Sequence, residues 1–100
     1  MWAIALDPTV GSEIQKTRPC VIISPSEIHD YLRTALVAPM TTGSRPAPFR
    51  IPLRFAGRHG LILLDQIRAV DQQRLVRRLG RVSQKVLGAT LEALREVFTE

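Results

Sequence analysis

The chain has 100 residues, 45% of them hydrophobic, which suits one domain with a single modest core and excludes a second domain. No apolar run approaches the roughly 18 residues of a membrane span, and no cationic segment precedes an apolar one at the start. We therefore predict a soluble, cytoplasmic protein without a signal peptide, folded as one domain over residues 1–100.

The charge balance is strongly basic. Lysine and arginine total 14 against 9 acidic residues, a net charge of +5, and 12 of the 14 are arginines. The planar arginine fork suits phosphate oxygens and stacks on nucleobases. This favours a polyanionic partner, either nucleic acid or an acidic protein segment, although a merely solubilising positive surface is the alternative.

Short apolar segments separated by turn residues predict a small β-rich domain. In chain order, the predicted strands are Trp2–Leu6, Cys20–Ser24, Thr34–Met40, Phe49–Phe55 and Gly60–Val70. Two other segments have turn-like patterns. Ser26–Leu32 opens with a capping serine and predicts one short helical turn, and Asp71–Val82 predicts a helical turn followed by a short strand.

The segment Phe49–Phe55 has the clearest two-residue alternation. Its apolar side chains share one side, whereas Arg50, Pro52 and Arg54 share the other. Because successive side chains of a strand point to opposite faces, this predicts one core face and one cationic face.

From Ser83 onward the apolar period becomes that of a helix, and Ser83 is a candidate N-cap. The predicted buried stripe is Val86, Leu87, Thr90, Leu91, Leu94 and Phe98. Gly88 within this helix predicts close packing against a neighbouring element. The whole pattern predicts a mainly β protein, a small twisted antiparallel sheet or barrel with a C-terminal helix packed on it.

The sequence lacks the residue patterns of several kinds of catalytic and binding site. His29 and His59 are isolated, so neither a zinc site nor a serine-type triad is predicted. The single Cys20 lies in an apolar run and is predicted to be a core residue. No glycine-rich phosphate loop is present. We predict no metal and no cofactor.

Two polar clusters remain. One precedes the second strand and contains Glu13, Lys16, Thr17 and Arg18; the other follows the third strand and contains Thr41, Thr42, Ser44 and Arg45. If these strands are antiparallel neighbours, Arg18 and Thr41 lie side by side, and a guanidinium beside a hydroxyl suits a phosphate. Taken singly, Glu13 also reads as a surface partner of Lys16, and Thr41 as a hydroxyl that satisfies a turn.

The motifs LDPTVGSEIQKTRP, VAPMTT and LDQIRAVD, in this order and before a C-terminal helix, resemble the MazF/PemK family of toxin endoribonucleases (mRNA interferases) from type II toxin–antitoxin systems. The resemblance implies a small SH3-like antiparallel β-barrel with appended helices, and a homodimer whose RNA groove crosses the subunit interface. It also implies ribosome-independent cleavage of single-stranded mRNA at a short motif. The implied inhibitor is a MazE-like antitoxin with a disordered, acidic C-terminal segment.

The resemblance also assigns site residues. Arg18 matches the arginine that carries the cleavage chemistry, Thr41 matches the hydroxyl residue that works with it, and Glu13 matches an acidic loop residue. The expected RNA-binding residues are Lys16, Thr17, Thr42, Ser44, Arg45, Arg50, Asp65 and Gln66. The arginines on and around Phe49–Phe55 are candidates for guiding the RNA backbone: Arg45, Arg50, Arg54 and Arg58. Solvated side chains that discourage edge-strand aggregation are the alternative for these arginines.

The chain departs from the family pattern in three places. Ser12 and Leu63 stand where the plasmid-borne branch has a histidine and an arginine, so a mechanism built on Arg18 and Thr41 is expected instead. Fewer residues precede the first strand than in other members, which predicts either a shortened strand or a trimmed start. A relative of the same fold acts on DNA gyrase without catalysis, and this is the alternative function.

The expected chemistry needs no metal, because the RNA 2′-hydroxyl is itself the nucleophile. Arg18 is expected to stabilise the charge that develops on the phosphate. A guanidinium with a pKa above roughly 12 is a poor base near neutral pH. The general base is therefore left open between Glu13 and a water molecule.

Overall fold

The computed structural model describes residues 1–5, 17–25, 30–43 and 45–99. These residues form a β-sheet and a C-terminal α-helix, as the apolar pattern of the sequence predicts. The strands are β1 Trp2–Ala5, β2 Thr17–Ile22, β3 Thr34–Thr41, β4 Arg50–Phe55, β5 Arg58–Leu63, β6 Arg68–Asp71 and β7 Leu75–Arg78; the helix is α1, Gln84–Val97. Two 3₁₀ turns occupy Leu64–Gln66 and Gln72–Arg74.

The strands are hydrogen-bonded in the order β4-β5-β3-β2-β1-β7, with β6 paired to β3, and every described pair is antiparallel. The mainly β fold with a C-terminal helix is thus confirmed. Within the described residues β4 and β7 end the order, so the expected barrel is an open sheet. Pro52 on β4 has no N–H to donate to a further strand, which is typical of an edge.

The predicted single strand Gly60–Val70 is wrong. It is two strands, β5 and β6, separated by the 3₁₀ turn Leu64–Gln66. Both lie along the same edge of β3, where Ile62 pairs with Met40 and Arg68 pairs with Val37. Leu64 within the turn is buried, so the apolar run continues through the break and conceals it in the sequence.

Other segments follow the predictions closely. Asp71–Val82 contains the predicted turn and the short strand β7. Strand β2 begins at Thr17 rather than at Cys20, which places Arg18 within the sheet. Leu6 and residues 26–29 of the predicted turn Ser26–Leu32 lie outside the described residues, while residues 30–31 are helical.

Apolar side chains pack on both faces of the sheet. The cluster between the sheet and α1 includes Ala38, Met40 and Ile62 of the sheet and Ala93 of the helix. The cluster on the opposite face contains Ile4, Cys20, Ala35, Val37 and Val70. The buried position of Cys20 confirms that it is a core residue. In β4, Ile51 and Leu53 are buried, which confirms the alternation predicted for Phe49–Phe55.

Helix α1 begins as predicted, since the Ser83 hydroxyl accepts a hydrogen bond from the Val86 N–H at 3.2 Å. Its buried face includes Thr90 and Ala93, at 1% and 8% exposure. The Thr90 hydroxyl donates to the Val86 carbonyl at 2.8 Å, which satisfies its polar atom in the core.

Half of the predicted buried stripe is wrong. Leu87, Leu91 and Phe98 are exposed, because the helix turns its Ala93 side toward the sheet and contacts it mainly at β4. Gly88 is also exposed, and a Cβ built on it meets no heavy atom within 4 Å. The predicted close packing at Gly88 is therefore wrong.

None of the helices within the described ranges has the length and apolar character needed to cross a membrane.

Gly88→Ala should raise the free energy of unfolding by about 0.5–1 kcal/mol, because alanine loses less backbone entropy in a helix and the site is open. Urea denaturation followed by circular dichroism measures the change. Gly60→Ala is the matched contrast: its Cβ would lie 3.0 Å from the Thr41 carbonyl oxygen, and such overpacking costs about 1–3 kcal/mol. A loss of stability in Gly88→Ala would contradict the exposed placement of this helix face.

Candidate active site

Arg18 and Thr41 lie next to each other in the sheet. Strand β2 is antiparallel to β3, with Cys20 opposite Pro39 and Val21 opposite Ala38. The same register, carried two residues further, sets Arg18 opposite Thr41 on one face of the sheet. Both residues line one cavity of about 400 Å³. The predicted proximity of the two residues is confirmed.

The row continues across the sheet on both sides of this pair. Ile4 of β1 is opposite Arg18, Thr41 is opposite Leu61 of β5, and Leu61 is opposite Pro52 of β4. We call these five residues the outer row. Its charged and hydroxyl members lie between apolar ones, so the polar chemistry is confined to the ends of β2 and β3.

Among the described residues, the Thr41 hydroxyl has one hydrogen-bond partner. Its Oγ1 accepts a hydrogen bond from the Gly43 N–H at 3.3 Å, which is the turn-satisfying role considered for this residue. Because a hydroxyl both accepts and donates, its hydrogen remains able to donate to a ligand in the cavity. The structural role of Thr41 is therefore compatible with its predicted catalytic role.

Arg18 is exposed and pairs with no carboxylate among the described residues. Its charge still reaches Cys20, as does that of Arg68. Burial raises the pKa of the Cys20 thiol to about 11, and the two guanidinium charges only partly oppose this. The thiol is thus neutral at physiological pH and unsuited to act as a nucleophile, while the two arginines make the surroundings positive.

The β4–β5 hairpin brings further residues to the cavity. Its two turn residues, Ala56 and Gly57, have φ of 51° and 76°, as in a type I′ turn. The tip carries Phe55, Ala56 and Arg58 into the lining beside Arg18. The sequence suggested Arg58 only as one of several arginines that could guide the RNA backbone. It does not show that the tip of the β4–β5 hairpin lies beside Arg18.

Arg50 and Asp65, both predicted to bind RNA, bind each other. The Arg50 Nε donates to Oδ1 of Asp65 and its Nη2 donates to Oδ2, both at 3.2 Å. Its Nη1 donates to the Arg45 carbonyl at 3.5 Å. This bidentate pair occupies the arginine fork and ties the segment before β4 to the turn after β5.

The other predicted site residues are distributed as follows. Thr42 is exposed and lines the cavity next to Thr41. Thr17 is exposed at the start of β2, opposite Ala5. Gln66 is exposed at the end of its turn. Glu13, Lys16 and Ser44 lie outside the described residues, so their roles stay predictions.

No three His, Cys, Asp or Glu side chains of residues 1–5, 17–25, 30–43 and 45–99 come together in an arrangement that could hold a metal ion. Two features escaped the sequence reasoning. Arg68 is brought close enough to influence Cys20 only by the pairing of β6 with β3, which the single-strand prediction concealed. His59, dismissed as isolated, lines a second cavity next to the first.

The hydrogen bonds from Arg50 hold the pKa of the Asp65 carboxyl below its usual range. A lowered folded pKa means that the stabilisation is fully present above the ordinary aspartate pKa of about 3.9 and is lost as the pH falls through the lowered value. For this exposed pair we expect about 0.5 kcal/mol at pH 7. An NMR titration of Asp65 should show its pKa rising toward the ordinary value in Arg50→Ala; identical titrations in the two proteins would contradict the pairing.

Comparison with known proteins shows the family of this chain. Residues 1–98 match the family model described as PemK-like, MazF-like toxin of type II toxin-antitoxin system. The chain is 34% identical over 105 residues to Endoribonuclease PemK of Escherichia coli, covering 99% of this chain and 79% of that protein. Its fold is similar to that of Mycobacterium tuberculosis toxin MazF-mt6, with a TM-score of 0.77 and 22% identity, over 97% of this chain and 94% of that one. It is also similar to a mycobacterial endoribonuclease solved in complex with its cognate antitoxin, with a TM-score of 0.77 and 19% identity, over 95% and 86% of the two chains. The chain belongs to the PemK-like, MazF-like family of toxins from type II toxin–antitoxin systems.

Proposed function

We propose that this protein is an endoribonuclease toxin that cleaves single-stranded mRNA in the cytoplasm at a short sequence motif, independently of metal ions and of the ribosome. Family membership and the activity of its relative PemK support the general class. The observation that carries the proposal for this chain is the placement of Arg18 and Thr41 on neighbouring strands at one cavity.

The reaction uses a nucleophile that RNA supplies. The 2′-oxygen attacks the adjacent phosphorus, forming a new O–P bond as the bond to the 5′-oxygen of the next nucleotide breaks. The products are a 2′,3′-cyclic phosphate and a 5′-hydroxyl. The protein must align these atoms and stabilise the negative charge that builds up on the phosphoryl oxygens.

Arg18 and Thr41 have the chemistry for this task. The Arg18 fork donates to two phosphoryl oxygens at once, and no described carboxylate competes for it. The Thr41 hydroxyl adds a further donor while the Gly43 N–H holds its oxygen in position. The proton of the 2′-hydroxyl passes to Glu13 or to a water molecule, the two candidates for the general base. The departing 5′-oxygen takes up a proton from the protonated base or from solvent and becomes the 5′-hydroxyl.

The RNA backbone on either side of the cut also needs positive charge. Arg58 lines the Arg18 cavity, and Arg68 lies near enough to influence Cys20 beside it. Arg54 is exposed on β4, on the face that carries the outer row. We propose that these arginines, rather than the Asp65-bound Arg50, guide the phosphates.

Two protein partners follow from the same proposal. An acidic, MazE-like antitoxin segment would fold onto the positive surface around Arg18 and compete with RNA, in line with the mycobacterial relative solved with its antitoxin. A second copy of the chain would form a homodimer. The exposed Leu87, Leu91 and Phe98 along one side of α1 offer an apolar surface for a protein contact.

A non-catalytic toxin that binds DNA gyrase is the alternative of the same fold, and fold alone does not separate the two. The endoribonuclease activity of PemK favours cleavage. A gyrase-binding protein would also have no need for a guanidinium and a hydroxyl at one cavity.

The first test is to incubate the purified protein with a long RNA in EDTA and to sequence the fragment ends. We expect cuts at one short motif, each leaving a 2′,3′-cyclic phosphate and a 5′-hydroxyl. Intact RNA, or cleavage that requires a divalent metal, would contradict the proposal.

Arg18→Ala should lower the cleavage rate by about 10²–10³, the usual cost of removing one donor that stabilises transition-state charge. Arg95→Ala is the matched control, because Arg95 is an exposed arginine in the last turn of α1. The control should cleave at the wild-type rate and Arg18→Ala should retain the wild-type melting temperature. An Arg18→Ala protein with wild-type activity would rule out the assignment.

A further inference from the structure

A second cavity of about 440 Å³ adjoins the Arg18 cavity, and nothing in the proposed cleavage step uses it. Its lining is Thr42, Pro46, Pro52, Leu53, His59, Gly60 and Leu61. Thr42 also lines the cavity that contains Arg18 and Thr41, so the two cavities meet at this residue. Pro52 and Leu61 belong to the outer row, which runs directly from Arg18 into the second cavity.

The two cavities have different chemistry. Arg18 and Arg58 line the first, whereas no arginine or lysine lines the second among the described residues. Two proline rings and two leucines give the second cavity mostly apolar walls. A phosphate is therefore suited to the first cavity, and an uncharged flat group to the second.

His59 provides the second cavity with an aromatic ring that can also form hydrogen bonds. It is exposed, and its imidazole makes no hydrogen bond or ion pair with the described residues. A histidine ring stacks on a nucleobase and also hydrogen-bonds to a base edge. The Thr42 hydroxyl adds a second polar group at the cavity.

The wall on the Pro46 side is held in place by hydrogen bonds from Arg50. Arg50 donates to the Arg45 carbonyl, and its backbone N–H donates to the Ala47 carbonyl at 3.1 Å. These two bonds bracket Pro46, so the cavity has a defined wall before any ligand binds. Such pre-organisation is typical of small-ligand sites, which span about 300–1,000 Å³.

We propose that this cavity is a nucleobase-binding subsite, in which His59 and Thr42 recognise a base next to the cleaved phosphate and so contribute to sequence preference. The inference rests on the proposed function, because the neighbouring Arg18 cavity is taken to hold the phosphate. Sequence-specific proteins read single-stranded RNA by stacking splayed bases and contacting their edges, and this cavity offers both contacts one step from Arg18.

The test measures binding without cleavage. Fluorescence anisotropy would give dissociation constants for four 2′-O-methyl homopolymers (A, C, G and U) and for an abasic sugar–phosphate strand of equal length. The methyl group blocks the nucleophile, so the result does not depend on catalysis. His59→Ala should weaken at least one homopolymer by about 5- to 100-fold, the usual cost of losing one base-stacking side chain, and should leave the abasic strand unchanged.

Two further variants and one control distinguish contacts with the base from contacts with the phosphate. His59→Phe keeps a ring and should recover most of the lost affinity. Arg18→Ala should weaken every strand, including the abasic one, because it contacts phosphate. Tyr31→Ala removes an exposed aromatic side chain from another cavity and should change nothing.

Unchanged binding in His59→Ala, or an equal loss on the abasic strand, would overturn the subsite. In the cleavage assay, His59→Ala should also relax the motif at one position. If the wild-type protein cuts no RNA while the homopolymer result holds, the proposed cleavage fails and the base subsite stands. If the wild-type protein cleaves RNA, and His59→Ala keeps the wild-type cleavage motif and the wild-type dissociation constants, the subsite fails and the cleavage proposal stands.

Discussion

The antiparallel register of β2 against β3 is the constraint on which the site depends. The pairing of Cys20 with Pro39, continued two residues toward the strand ends, aligns Arg18 with Thr41, and both residues line the same cavity. A slip of one residue would send either side chain to the opposite face. The fully buried Cys20 and Val37 resist such a slip, since it would exchange core and solvent positions. The geometry of the proposed phosphate site is thus set by the packing of apolar neighbours.

The arginines differ in whether an acidic side chain of the protein pairs with them. Arg50 is held by Asp65 and shapes the segment before β4, whereas Arg18 pairs with no described carboxylate beside a neutral thiol. A positive charge carried mostly by arginine therefore does not mean that the whole surface binds RNA uniformly. Only side chains without an internal acidic partner can offer both nitrogen donors to phosphate, and we propose that Arg18 does so in catalysis as well as in binding.

The sequence predicted those features that depend on local chemistry. The alternation in β4, the Ser83 cap and the Arg18–Thr41 proximity all follow from periodicity, capping and strand order. It did not predict the break between β5 and β6, because Leu64 keeps the apolar run continuous through the turn. The buried face of α1 and the exposure of Gly88 were missed because they depend on how the helix docks at β4. The proposed role of His59 was missed because it depends on neighbours outside its own strand, and the roles of Glu13, Lys16 and Ser44 stay predictions.

The central claim is that Arg18 and Thr41 act together on one phosphate, and a double-mutant cycle tests it most directly. Single-turnover cleavage rates of the wild type, Arg18→Ala, Thr41→Val and the double variant would be compared on one RNA. Residues that act as a unit show strongly non-additive losses, so the account predicts a double variant about as slow as Arg18→Ala alone. Losses that simply multiply would show that the two side chains act independently, and would contradict the account.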